Sequence, residues 1–164
     1  MKKGRQKKVK SPGKNRKCAV FGAWCYGRGL FVYHTQPAKN AWGTRHLIDR
    51  LRRRTQRTGK RIVMVMDQGN PHHAKAVHRD LELAAPWIEV FWLPHYSPEL
   101  NLIERLWKHV KGSRLANVLF ANFRQFLGHV ERTLADFARH PDISLPVVAE
   151  QRTCGMGTKL VAVT

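Results

Sequence analysis

Arg61-Ile62-Val63-Met64-Val65-Met66-Asp67 decides how the rest of this chain is read. Five successive apolar residues fall far short of the roughly 18 that suggest a membrane span. They have the length of a strand, and an unbroken run suits one covered on both faces, as in a parallel sheet. Downstream, a helix over about 72–85 leads through Pro86 to a second strand of the same buried type over 88–93. Strand, helix and strand in that order is the α/β pattern, and a right-handed crossover makes the two strands parallel. Upstream, residues 18–24 and 30–35 flank Tyr26-Gly27-Arg28-Gly29 and predict a hairpin. Between hairpin and strand, Asn40 can cap a helix with Trp42, Leu47, Ile48 and Leu51 on its apolar face. Thr58-Gly59-Lys60 stops that helix.

Beyond the second strand, Pro94-His95-Tyr96-Ser97-Pro98 forms a stiff loop, since each proline restricts itself and the residue before it. A helix from Glu99 or Leu100 to about Lys111 carries Leu102, Ile103, Leu106, Trp107 and Val110 at helical spacing, and Gly112 ends it. A last helix over 122–139 aligns Phe123, Phe126, Leu127, Val130, Leu134 and Phe137. Residues 1–17 read as a basic arm or loop, 18–140 as one α/β domain, and 141–164 as a tail without a clear signal.

The 164 residues hold 30 Lys+Arg against 11 Asp+Glu, a formal charge of +19. The abundant polyanion that such a surface meets is nucleic acid. An apolar content of 43%, with five Trp and seven Phe, supplies a packed core and excludes a wholly disordered basic tail. No apolar segment follows the basic start, so neither a secretory signal nor a membrane helix is read, and the expected location is cytoplasmic. Cys18, Cys25 and Cys154 are odd in number and lack a C-x-x-C spacing, which argues for reduced thiols. His72, His73 and His78 fit no common zinc spacing, and Trp87, Trp92 and Trp107 fall within or beside predicted elements, where core packing is expected.

With so few acids, their placement carries information. Asp67 stands at the C-terminal end of the apolar strand, where open α/β sheets present ligands and catalytic groups. Glu104 lies one turn into the helix after the proline-rich loop, beside Leu102, Ile103 and Leu106, where an ionised carboxylate needs a cation nearby. Two hard oxygen donors in a basic surround suit Mg²⁺ (or Mn²⁺) held between protein and phosphate. Taken singly, each acid has an ordinary reading as a helix cap or a salt-bridge partner. The cations read as DNA contacts are Lys7, Lys8, Lys14, Arg16 and Lys17 in the arm, and Arg52, Arg53, Arg54 and Arg57 on the first helix. The same helix arginines also suit a solvated face.

The residues around both acids add a resemblance. Val-Met-Asp67-Gln-Gly-Asn-Pro-His72 and Leu-Pro94-His-Tyr96-Ser97-Pro98-Glu99-Leu100-Asn101-Leu-Ile-Glu104-Arg-Leu-Trp107 resemble the last two blocks of the DDE transposases of bacterial insertion sequences, in the mariner-like superfamily. The resemblance spans residues 8–140 and implies an RNase H-like fold, a mixed sheet flanked by helices, with three acids holding two divalent metals. It matches Asp67 to the second acid and Glu104 to the third, with His72 and Asn101 in supporting places. It also implies double-stranded DNA, transposon ends and target, as substrate.

The first acid of that family lies on the first, central strand, upstream of the segment that matches residues 8–23. No acid precedes Asp49 in this sequence. The expectation is therefore an N-terminally truncated catalytic domain whose sheet lacks its central strand, leaving two unpaired edges inside the fold, and which is inactive alone. Two alternatives stand beside it: a non-enzymatic basic nucleic-acid binder, and one half of a split enzyme completed in trans by a second transposase chain or an upstream-frame product.

Overall fold

The computed structural model describes residues 16–25, 29–95, 97, 100–116 and 118–140, and the backbone of 160–163. Strands β1 (Ala19–Cys25) and β2 (Leu30–Gln36) form the expected hairpin, paired antiparallel along all seven residues of each. Helix α1 (Ala41–Thr58) follows. The Asn40 side chain accepts from the Gly43 amide at 3.2 Å, and Gly59 closes the helix in the left-handed region at φ 64°, where a residue without Cβ fits best. Strand β3 (Ile62–Met66) then runs to Asp67.

Between β3 and α2 (Lys75–Ala84) the chain makes a separate 3-10 turn, Asn70–His72, so His72 is not in the helix as expected. Pro71 sits in the first positions of that turn, where its missing amide costs nothing. Strand β4 (Ile88–Trp92) pairs parallel with β3 as the crossover rule requires. It is an edge strand of the sheet with Phe91 59% exposed, a correction to the reading of a strand covered on both faces.

Helix α3 (Leu102–His109) begins a little later than expected and does not stop at Gly112 but widens into a π-helical stretch, Val110–Leu115. The Ser113 hydroxyl donates to the His109 carbonyl at 2.7 Å, taking an acceptor that the ordinary α ladder would use. Helix α4 (Phe123–Arg139) is capped reciprocally. Asn122 accepts from the Gln125 amide at 2.9 Å, and the Gln125 side chain accepts from the Ala121 amide at 3.1 Å.

The tail supplies what its sequence did not announce. Strand β5 (Leu160–Val163) lies between β1 and β3, antiparallel to the first and parallel to the second, giving the mixed order β2-β1-β5-β3-β4. The expected gap in the middle of the sheet is therefore filled, and the two inner edges are paired there. Physically, two adjacent unsatisfied strand edges in a packed sheet are costly.

Helices cover both faces. On one, Phe21, Ala23, Met64 and Met66 meet Leu47, Leu51, Val77 and Leu81 of α1 and α2. On the other, Trp24 and Phe31 meet Ile103, Leu106 and Trp107 of α3 and Val130, Leu134 and Phe137 of α4. The alternation along β1 sends Phe21, Ala23 and Cys25 one way and Trp24 the other. A fully buried leucine such as Leu47 contributes about 1.5–3 kcal/mol. Two glycines permit the close approach of the layers: a Cβ on Gly22 would stand 2.8 Å from the Trp107 ring, and one on Gly43 2.3 Å from Phe21. Trp42, expected on the apolar face of α1, is instead 57% exposed and stacked on His46. No helix among the described residues is long and apolar enough to cross a membrane.

Candidate active site

Asp67 follows the last residue of β3, and the turn after it is built around its carboxylate. The Gly69 amide donates to Asp67 Oδ1 at 3.0 Å. A Cβ on Gly69 would meet Oδ1 at 3.0 Å and the His72 ring at 3.3 Å, so any larger residue there would press on both groups. The Gln68 side chain donates to the Leu93 carbonyl at 2.9 Å and the Leu93 amide to the Met66 carbonyl at 2.8 Å. These bonds tie the loop after β3 to the loop after β4.

His72 is fully buried and turned toward Asp67, with Nε2 3.3 Å from Oδ1, while Nδ1 lies 3.3 Å from the Thr44 hydroxyl of α1. Burial pushes this imidazole down to about 4, outweighing the pull of Asp67, with Lys39 and His73 adding to the fall. The ring is neutral at pH 7 and has one donor and one acceptor nitrogen. A carboxylate only accepts, so the donor belongs at Nε2 and the Thr44 hydroxyl donates to Nδ1. Nε2 lacks hydrogen-bond geometry to any partner among the described residues and is left open beside Asp67.

Glu104 stands in the first turn of α3, where the dipole favours an anion. Its amide donates to the Asn101 carbonyl at 2.9 Å, so Asn101, itself fully buried at the N-cap, fixes the start of the helix. Burial raises Glu104 above the usual carboxylate range; Lys111 opposes this, the like charge of Asp67 adds to it, and Lys39 opposes it again. Asp67 and Glu104 are thus near enough to repel. A cavity of about 710 Å³ opens beside Glu104, lined by Lys17, Lys39, Lys111 and the flank of Trp107.

The sequence-predicted residues separate into two groups. Asp67, His72, Asn101 and Glu104 lie at the ends of β3 and the start of α3. Arg52, Arg53, Arg54 and Arg57 lie in the second half of α1, which reaches the opposite end of β3: Arg54 shares a cavity of about 450 Å³ with Ile62, Lys60, Arg61 and Arg139. Residues 44 and 57 are separated by roughly 20 Å along the helix. Arg52 and Arg53 pair with Asp49 at 3.0 and 2.8 Å. Arg16 covers the Phe123 ring at 4.2 Å, Lys17 reaches the cavity by Glu104, and Lys7, Lys8 and Lys14 lie outside the described residues.

The three histidines do not converge. His72 points inward, while the His73 and His78 rings pack against Trp92 at 5.3 and 5.8 Å. Trp107 is buried, whereas Trp87 and Trp92 are only partly covered. Thr44, Lys39, Lys111 and Gly69 were missed by sequence reasoning. Of these, only Gly69 had a visible signal, as the glycine two residues past a strand-end acid.

The donor set can be tested against a divalent ion. The two carboxylates suit at most a single hard cation completed by water and phosphate oxygens, and His72, with its proton on Nε2, does not ligate it. Among the described residues no group of three His, Cys, Asp or Glu side chains is spaced to hold a metal, so this set falls short of a two-metal site.

Comparison with known proteins agrees with the residues. A sequence family described as DDE superfamily endonuclease matches residues 1–127. A Shigella sonnei protein described as the insertion element IS630 uncharacterized 39 kDa protein is 28% identical over 139 residues, covering 85% of this chain and 40% of that protein. The chain thus spans about two fifths of the length of that relative. No solved structure matches significantly.

Proposed function

This chain belongs to the DDE superfamily endonucleases, and from that membership we propose that it is a catalytic-domain portion of an insertion-sequence transposase. What supports the reading is that Asp67 ends β3 and Glu104 opens α3, with the charge of Asp67 contributing to the rise of Glu104 and buried His72 behind Asp67.

In this reading Asp67 and Glu104 hold Mg²⁺ or Mn²⁺. The ion, when bound, activates water or a 3′-hydroxyl and stabilises the leaving oxygen at a DNA phosphate. The protein's own part is positional. Burial keeps His72 neutral behind Asp67, Thr44 holds its ring at Nδ1, and the Gly69 amide fixes the Asp67 carboxylate. Asn101 sets the first turn of α3, from which Glu104 projects. Lys17, Lys39 and Lys111 supply a positive rim for the phosphate backbone.

Two carboxylates retain at most one ion, so the chain alone does not cut DNA. A second transposase chain or an upstream-frame product has to supply the remaining acid. The test is Mn²⁺ binding followed by the metal's electron paramagnetic resonance signal, alongside plasmid nicking. One weak site that disappears in Asp67→Asn and in Glu104→Gln, without nicking, is the expected result. Asp67-dependent nicking by the isolated chain would overturn the inactivity.

A second reading, a nucleic-acid binder that needs no metal, is favoured by the position of the Arg54, Lys60, Arg61 and Arg139 group far from the acids. Duplex binding should weaken with salt at a slope of about −0.9 per phosphate neutralised. If the arginines of α1 touch the backbone, replacing Arg53 and Arg57 by Ala lowers that slope by about 2, one per lost contact.

A further inference from the structure

We propose that Trp42 and His46 form a stacking platform on α1 for an unpaired base of a bound DNA strand. The proposal rests on the reading of the chain as a DNA-binding transposase portion, and it names the form of DNA that this face takes.

Trp42 stands in the first turn of α1 and is 57% exposed. Leaving so large a ring in water forgoes the stabilisation that burial would give. Yet the ring does not hang free. His46, one turn on, lies parallel to it at 5.2 Å and 4°. His34 of β2 stands edge-on to both, 4.8 Å from His46 and 6.5 Å from Trp42, and is itself stacked on the buried Phe21 ring at 5.2 Å. Gly43, next to Trp42, brings the helix against that same phenyl ring. A continuous stack therefore runs from the core to the surface and ends in the indole. The three separations put both histidines on one side of it, and its other face meets no ring among the described residues. A planar group held in this way takes up another planar group with little loss of side-chain freedom.

The surroundings favour a nucleobase over an apolar side chain. Lys39 lies just before the helix, and Arg45, one turn past Trp42, shares a cavity of about 450 Å³ with the indole and with Arg52. The two acids of that cavity are already engaged, Asp80 by Arg45 at 2.7 Å and Asp49 by Arg52 and Arg53 at 3.0 and 2.8 Å. An aromatic face set among cations, in a chain of net charge +19, holds a base and its phosphate together. Bases inside a duplex have both faces covered, so the open indole selects one that is unpaired.

The platform also stands at the acid end of the sheet. Thr44, two residues from Trp42, bonds His72 behind Asp67, and the charge of Lys39 acts on both His72 and Glu104. Two residues turn a helix by about 200°, so Trp42 lies across α1 from Thr44, about 10–12 Å away. At about 3.4 Å per nucleotide along one strand, a strand whose phosphate lies at the acids reaches the ring after roughly three nucleotides.

The experiment uses the full chain, a blunt DNA duplex, and the same duplex with a short single-stranded tail. The unaltered chain should bind the tailed duplex more tightly. Trp42→Ala should weaken binding to the tailed duplex about 5- to 150-fold, the worth of one stacked base, while its affinity for the blunt duplex and its salt slope stay unchanged. Trp42→Phe should keep most of the affinity. Thermal melts check that each variant is folded, and 5-iodouracil placed in the tail should crosslink to Trp42 of the unaltered chain, as read by mass spectrometry.

Unchanged affinity of Trp42→Ala for the tailed duplex, an equal loss on both duplexes, or a crosslink that maps elsewhere overturns the inference alone. So does an oligomer that Trp42→Ala dissociates, since the ring would then be a contact between chains. Failure of the unaltered chain to bind any of the DNAs overturns the inference together with the DNA-binding reading beneath it.

Discussion

Asp49 and Glu104 are carboxylates on two helices of the same domain, and the fold pushes them in opposite directions. Asp49 sits on the outward side of α1 between Arg52 and Arg53; burial pulls it up, but the hydrogen bonds and charges of the two guanidiniums outweigh that and hold it below its ordinary value. Glu104 lies against the packed start of α3, where burial raises it and the charge of Asp67 adds to the effect. The first acid is spent on its neighbours. The second is held at a cost in the folded state. In a protein of net charge +19, an acid that is left without an arginine is more informative than any of the cations.

The largest expected effect concerns the two ends of β3. Met66→Ala, at the acid end, empties a fully buried position and should cost about 2–5 kcal/mol, while Ile62→Val at the arginine end costs about 0.5–1.5 kcal/mol. Urea unfolding monitored by tryptophan fluorescence measures both. A loss no greater for Met66→Ala than for Ile62→Val, which deletes only one methyl group, would mean that the acid end collapses around the deletion.

Next is His72→Leu, which leaves the Thr44 hydroxyl without its buried partner. A loss of about 1–3 kcal/mol is expected, together with weaker Mn²⁺ binding. Asp80→Ala, which breaks the exposed pair with Arg45 between α1 and α2, should cost at most about 1 kcal/mol and leave the metal untouched.

A smaller effect comes with pH. His34 is held down to about 4 by burial, then by His46 and Arg50. The unfolded imidazole titrates near 6.5, so between about pH 6.5 and 4 the unfolded chain binds more protons. The stability that His34 contributes is present above that window and is lost as pH falls through it. Thermal melts between pH 7 and 5 should show a declining midpoint, and His34→Gln should flatten the decline by about 1 kcal/mol after allowance for solvent screening of this half-buried ring. Glu104 works the other way. With a raised value, the folded chain holds its proton longer, so its contribution is fully present below the unfolded value of 4.5 and is lost as pH rises through the folded one.

The smallest effects give the sharpest contrast because their signs differ. Asp49→Asn should lower stability at pH 7 by about 0.2–1 kcal/mol. Glu104→Gln should raise it, while removing Mn²⁺ binding. If both variants lose stability, Glu104 is an ordinary ion-pair partner and the contrast between the two helices fails.

Much of this was legible in order along the chain. The hairpin, the capping of α1 by Asn40, its end at Gly59, the parallel pair β3 and β4 and the long α4 all follow from signals within a few residues of themselves. Asp67 and Glu104 stood out because each interrupts an apolar run, and His72 and Asn101 because the motif around them is specific. The exposed Trp42 and the one-sided β4 were misread for a single reason: helical or strand periodicity tells which residues share a face, and only the neighbouring layer decides whether that face is covered.

By itself, then, the sequence determined the local elements, the basic character, the family resemblance and the two acids at strand and helix ends. These are properties of short segments and of net composition. Tertiary structure alone decided that Thr44 backs His72, that Lys39 and Lys111 act on Glu104, that Arg54 lies with Ile62 at the end of β3 away from Asp67, and that Leu160–Val163 occupies the centre of the sheet. Each of those depends on residues tens of positions apart. Backbone pairing and layer packing bring such residues together through the whole fold, so no local pattern encodes their meeting.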